Sequence, residues 1–209
     1  MALIIFDFDG VLADTLDDLI RFGQEACDEL GVKHIVKKDD LSNLELMSFA
    51  TFGRACEVPE QLVDQFVQKC LKRFAEKKSP PAIFNGLGDI VRDFAARHTL
   101  AIVTTNTSQN AHAFLVEHGL DDCIQTIYGI DIPGSKAQKI SIARNQFSAD
   151  AQRGVFMIGD ALSDMNAAKE AAVTSIAVTW GHQSLEHLRR GHPDHVARSP
   201  HELIEIIDK

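Results

Sequence analysis

The chain has 209 residues, 45% hydrophobic and 24% charged, which suits a soluble globular protein with one core domain and a modest insertion. A formal net charge of -9 without a basic patch argues against nucleic acid or an anionic membrane surface as partner. It leaves a small phosphorylated metabolite open, because a divalent cation and one or two lysines reverse the local field inside an acidic protein.

Asp7 interrupts the apolar N-terminus before a signal-peptide core can form, and no apolar run approaches a membrane span. Cys27, Cys56, Cys70 and Cys123 are widely spread and form no C-x-x-C pair. Free thiols and a cytoplasmic location are therefore expected.

Ala2-Leu3-Ile4-Ile5-Phe6 is a short unbroken apolar run, the pattern of a strand buried on both faces. From Thr15 to about Ser79 no strand pattern occurs, only helical spacing such as Leu62-Phe66-Val67-Cys70-Phe74. This predicts a small all-helical cap, residues 15–79, inserted into an α/β core made of 1–14 and 80–209. Asp14-Thr15 and Lys77-Lys78-Ser79-Pro80-Pro81 would be its hinges, the prolines stopping the last helix and stiffening the return.

Further apolar runs follow at Leu100–Val103, Thr126–Tyr128, Val155–Ile158 and Ser175–Val178. Between them lie segments with the helical faces Leu87-Ile90-Val91-Phe94, Ala113-Phe114-Val116 and Ile140-Ala143-Phe147. Pro193–Val196 and Ser199–Leu203 read as a last short strand and a capped C-terminal helix. Strands alternating with helices predict a Rossmann-like parallel sheet flanked by helices.

The candidate chemistry sits where strands end. Asp7-Phe8-Asp9-Gly10 follows the first strand, and ligands in open α/β sheets bind outside the carboxyl ends of strands. Gly159-Asp160-Ala161-Leu162-Ser163-Asp164 supplies a second acidic pair at a second strand end. Two such pairs suit a hard cation such as Mg²⁺, which takes oxygen ligands and keeps several waters. Thr104-Thr105-Asn106 follows another strand and offers a hydroxyl and backbone amides to a phosphate at the start of the next helix. Lys136 opens the helix after Gly134-Ser135, with Lys139 one turn on as its rival.

Taken in chain order, as Asp7–Thr15, Thr104, Lys136 and Gly159–Asp164, these four motifs resemble the haloacid dehalogenase superfamily, and within it the phosphoglycolate phosphatase-like members with a helical cap. The first motif runs Asp7-Phe8-Asp9-Gly10-Val11-Leu12-Ala13-Asp14-Thr15. The resemblance implies a phosphatase in which Asp7 attacks phosphorus and Asp9 acts as acid and base. It implies Mg²⁺ held by the Asp7 carboxylate, the Asp9 carbonyl and Asp160, with Asp164 supporting its waters. Thr104 and the Thr105 amide would hold phosphate oxygens, and Lys136 would neutralise charge. Related phosphatases often have Lys-Pro where this chain has Lys136-Ala137. A phosphomutase, with the same core and a longer-lived aspartyl-phosphate, is the alternative. The histidines after residue 180 have no i, i+4 pair and no neighbouring cysteines, Trp180 reads as packing, and Arg54 is a candidate for contact with the non-phosphate end of a substrate.

Overall fold

A computed structural model describes residues 1–77 and 79–208. Lys78, in the expected second hinge, lies outside the described residues. The first strand, β1 (Leu3–Phe6), is wholly buried and lies near the middle of a six-stranded parallel sheet. The tiny β2 (Ala13–Asp14) follows it. Next come the helices α1 (Leu16–Glu29), α2 (Asp39–Ser42), α3 (Phe49–Ala55) and α4 (Val63–Glu76). The chain then runs through β3 (Ala82–Ile83), α5 (Leu87–Ala95), β4 (Thr99–Val103), α6 (Ser108–Glu117), β5 (Thr126–Tyr128) and α7 (Lys136–Gln146). It ends with β6 (Val155–Gly159), α8 (Leu162–Glu170), β7 (Thr174–Val178), α9 (Leu185–Arg189), β8 (His195–Ala197) and α10 (Glu202–Ile207).

The sheet order is β5-β4-β1-β6-β7-β8. The chain fills one side of β1 and then crosses to fill the other, so the order reverses at β1. That reversal opens a crevice at the carboxyl ends of β1 and its neighbours. The period of two along β1 divides the core. Ile4 and Phe6 pack with Val91, Phe94, Phe114 and Leu203 on one face, while Leu3 and Ile5 pack with Ile140, Ala143 and Ala168 on the other.

The first five predicted strands occur as β1, β4, β5, β6 and β7, and the last as β8. One helical face needs correction. In α6 the buried residues are Ala111, Phe114 and Leu115, whereas Ala113 and Val116 are exposed. The buried set has the i, i+3, i+4 spacing of a single stripe, which the triplet Ala113-Phe114-Val116 lacks. The β2–β3 pair is not among the expected strands. It is an antiparallel ladder of only two residues, Ala13 with Ile83 and Asp14 with Ala82, too short for any periodicity.

Helices α1–α4 build a hydrophobic cluster of their own around Phe52, Phe66, Cys27, Cys56 and Cys70. The rings of Phe52 and Phe66 meet edge to face at 5.7 Å. A Cβ on Gly53 would stand 2.8 Å from the Phe66 ring, so α3 and α4 touch where only glycine fits. Ser48 and Thr51 form a capping box that fixes the start of α3. Phe66 is fully buried, and Phe66→Ala should cost about 3–5 kcal/mol of stability, read as a lowered midpoint in chemical denaturation. A loss under about 1 kcal/mol would mean that this cluster does not hold the helices together.

Candidate active site

Asp7 is the first residue beyond β1, and its N–H donates to the Ile158 carbonyl at 2.8 Å, extending the ladder with β6. Phe8 turns inward against Phe114, so Asp7 and Asp9 face the crevice on either side of a buried anchor. The chain doubles back at once, with the N–H groups of Leu12 and Ala13 donating to the Phe8 carbonyl at 2.9 and 3.0 Å. Gly10 makes this possible. Its φ is +78°, and a Cβ there would lie 2.1 Å from Asp160 Oδ2.

Asp160 stands beside Asp7 at the end of the adjacent β6, and Asp164 sits in the first turn of α8. One oxygen from each of Asp7, Asp160 and Asp164 comes within 4.8 Å of the others, and all three residues are buried. Asp164 Oδ2 accepts the Ala161 N–H at 3.0 Å, closing the start of α8, and Oδ1 accepts Lys136 Nζ at 2.5 Å. Lys136 Nζ is also 3.0 Å from Asp7 Oδ1. This approach is close enough for an ion pair, though among the described residues that buried oxygen accepts no hydrogen bond of good geometry.

The electrostatics follow from this crowding. Burial, with Asp164 and Asp160 nearby, lifts the Asp7 carboxyl to about 8 despite Lys136. Burial and Asp164 lift Asp160 to about 7. Burial works against the Lys136 ammonium too, but Asp164 and Asp7 outweigh it and hold the lysine charged, above its ordinary range. One ammonium does not balance three carboxylates. The all-oxygen donor set and the unaligned Asp7 oxygen fit a hard divalent cation, with Asp7, Asp160 and Asp164 as the side chains to hold it or its waters.

Asp9 does not join that cluster through its carboxylate. Oδ2 accepts a hydrogen bond from Asn106 Nδ2 at 2.9 Å. Thr104 is buried, and its hydroxyl oxygen accepts the Asn106 N–H at 3.0 Å. Thr105 is exposed. Helix α6 starts at Ser108 with Thr107 as its cap, later than expected, because residues 104–107 form a loop of their own. Of the two rival lysines, Lys136 enters the acidic cluster, while Lys139 turns to the Gly129 carbonyl at 2.7 Å. Arg54 is paired with Glu60 at 2.6 Å. Trp180 donates its indole N–H to the Val11 carbonyl at 3.2 Å, a packing role as expected.

A sequence model of the haloacid dehalogenase-like hydrolases matches residues 4–178. The chain belongs to this family. It is 26% identical to a phosphoglycolate phosphatase of Synechococcus elongatus, with 99% of this chain and 97% of that protein covered. It is 30% identical to a phosphoglycolate phosphatase of Agrobacterium fabrum, with 86% of this chain and 81% of that protein covered. Its fold is similar to that of a haloacid dehalogenase-like hydrolase from Streptococcus pneumoniae, with a TM-score of 0.83, 24% identity, and 99% and 98% of the two chains covered.

Three residues of this hydrolase's site carry no role that is legible in the sequence. Asn106 is read there only within the phosphate-binding stretch and Thr15 only as a hinge residue, yet Asn106 donates to Asp9 and Thr15 pairs with His182. His182 is one of several histidines without metal-site spacing, yet it is buried against Asp160 and Thr15. A second grouping, His34, Asp40 and Cys56, lies among the helices, but there His34 and Asp40 pair with each other at 2.9 Å.

The raised Asp7 carboxyl predicts a pH effect of definite sign. Between pH 6.5 and about 8 the folded hydrolase holds a proton on Asp7 that the unfolded chain has already lost, so stability falls as pH rises through that window. His182, held neutral below its ordinary 6.5 chiefly by burial, acts in the opposite direction only at lower pH. Thermal denaturation in chelator should show the midpoint declining from pH 6.5 to 8, with Asp7→Asn flattening the decline. A midpoint that rises over this range would contradict the assignment.

Proposed function

We propose that this chain is a magnesium-dependent phosphatase of small phosphomonoesters, with a phosphoglycolate-like compound the leading substrate class, acting through an aspartyl-phosphate on Asp7. The observation that carries the reading is the Asp7 carboxylate itself. It lies at the mouth of a central strand, with one buried oxygen that accepts no well-formed hydrogen bond among the described residues and has the Lys136 ammonium 3.0 Å away. The two relatives bearing the name phosphoglycolate phosphatase support the same substrate class.

The roles follow from the surroundings of each group. Asp7 attacks phosphorus, and the ester oxygen leaves with a proton from Asp9. Asp9 then takes a proton from water, whose oxygen attacks the aspartyl-phosphate, and inorganic phosphate departs with Asp7 restored. Burial raises the Asp9 carboxyl, which favours its presence as an acid, while Asn106 holds one of its oxygens. Lys136, kept charged by Asp164 and Asp7, neutralises charge that accumulates between nucleophile and phosphate. Thr104 and the backbone of Thr105 take up phosphate oxygens at the end of β4. A magnesium ion at Asp7, Asp160 and Asp164, with the Asp9 carbonyl, would screen the repulsion between two anions and steady the developing charge.

In this reading residues 15–79 are a cap over a core of 1–14 and 80–209, hinged at the β2–β3 pair, and the protein works in the cytoplasm. Among the described residues no helix is long and apolar enough to cross a membrane.

Phosphate release from a panel of phosphorylated small acids and sugars tests the proposal. Activity should require magnesium, disappear with EDTA, and fall to background in Asp7→Asn. Near wild-type turnover in that variant would dismiss Asp7 as nucleophile. The two lysines should separate as well. Lys136→Met should lose at least about 100-fold in turnover, while Lys139→Met should stay within about tenfold. Equal losses would remove the distinction.

A further inference from the structure

Residues 42–45 of the helical block bond, one after another, to the loop and helix that follow β7. The Ser184 N–H donates to the Ser42 carbonyl at 3.0 Å, and the Ser184 hydroxyl donates to Asn43 Oδ1 at 3.1 Å. Gln183 Nε2 donates to the Leu44 carbonyl at 2.7 Å, and Arg190 pairs with Glu45 at 2.6 Å. Among the described residues, the other hydrogen bond between 15–79 and the rest of the chain joins Thr15, one residue beyond β2, to His182.

This seam is polar throughout. The apolar residues of the helical block cluster among themselves, and the core clusters take none of them. No buried hydrophobic cluster among the described residues therefore spans the two parts. Shared apolar burial would weld them, because exposing such surface to water is unfavourable. Hydrogen bonds are exchanged for bonds to water when the parts separate, so each favours the joined state by only about two- to tenfold. Such a seam can both hold and release.

Gln183 carries the seam to the acidic corner. It is only 3% exposed. Its Oε1 accepts the Leu162 N–H at 2.7 Å while its Nε2 reaches Leu44. The two partners fix which way the amide points, since one is a backbone donor and the other a backbone acceptor. Leu162 opens α8, whose first turn carries Asp164, and Ala161 before it has no side-chain oxygen to cap the helix. One amide thus caps α8 and grips the helical block.

We propose that residues 42–45 and 183–190 form a latch holding the helical block on the core, that Gln183 is its positioning residue, and that the latch parts in each turnover. The inference rests on residues 15–79 being a cap over a phosphatase site.

Amide hydrogen exchange reads the latch directly. The Ser184 N–H is bonded across the seam, whereas the Asp7 N–H is bonded within the sheet to Ile158. Gln183→Glu keeps an acceptor for Leu162 but removes the donor to Leu44. It should speed exchange at Ser184 by about fivefold or more, with Asp7 within about twofold. Gln183→Met should do the same and should also speed exchange at Leu162. Unchanged exchange at Ser184 in both variants would overturn the latch. If Gln183→Glu fails to fold by circular dichroism, Gln183→Met decides in the same way.

A reversible cross-link tests the parting. Asn43→Cys with Ser184→Cys, on a Cys123→Ser background that leaves only buried thiols, would close the seam with a disulfide. Oxidation should lower magnesium-dependent phosphate release from p-nitrophenyl phosphate by at least about tenfold, with recovery in dithiothreitol and no response in either single variant. A cross-linked enzyme as active as the reduced one would overturn the parting in turnover. A pair that forms no cross-link would overturn the seam itself. A wild type inactive on this and every other phosphomonoester would overturn the phosphatase reading and the turnover step with it, while exchange at Ser184 would still decide the latch.

Discussion

Three aspartates share a dry corner at the ends of two adjacent strands, and their mutual repulsion is the constraint around which this molecule is arranged. Lys136 is the counterweight that the chain supplies. Its ammonium sits 2.5 Å from Asp164 and 3.0 Å from Asp7, and it is itself largely buried. Removing one partner from such a buried set typically costs about 3–5 kcal/mol, because the remaining charges stay unpaired and dry. With all three carboxyls ionised a single lysine leaves an excess of negative charge, which a divalent cation would offset. A site balanced within itself would have no such use.

The same crowding dictates the backbone. Gly10 and Gly181 let two loops press against the same Asp160 carboxylate, and neither position has room for a Cβ. Gly159 is equally confined, since a Cβ there would stand 2.3 Å from Asp164 Cβ. So many close contacts make the corner rigid, and rigidity is what a preorganised site requires. Asp9 has a different environment. Asn106 Nδ2 donates to its carboxylate, which takes no part in the charged cluster two residues away. Two carboxylates in one tetrapeptide thereby acquire different chemistry, because Phe8 between them is anchored in the core.

Much of the fold and of the site is legible in the order of residues. Strands buried on both faces are continuous apolar runs, so β1, β4, β6 and β7 announce themselves. Asp7 and Asp160 follow such runs directly, and their neighbourhood is then a matter of strand order. The α6 face is harder to read, because Ala113-Phe114-Leu115-Val116 is apolar throughout, and four consecutive apolar residues do not define a stripe. Sequence does not separate Lys136 from Lys139 either. Both lie near the start of α7, and only the direction of each side chain distinguishes an ion pair from a hydrogen bond to Gly129.

The alternation of strand and helix, the helical stretch after Asp14, and the set of acids, threonines and lysines at strand ends are all written in the sequence. These are local properties, carried by periodicity and by residues adjacent in the chain. The bond from Asn106 to Asp9, the pairing of Thr15 with His182, and the sharing of an Asp160 oxygen with the His182 backbone belong to the tertiary structure alone. Thr15 and His182 are 167 positions apart, and no pattern within either segment encodes the meeting. It exists because β1 and β6 are neighbours in the sheet while the loop after β7 folds back over both.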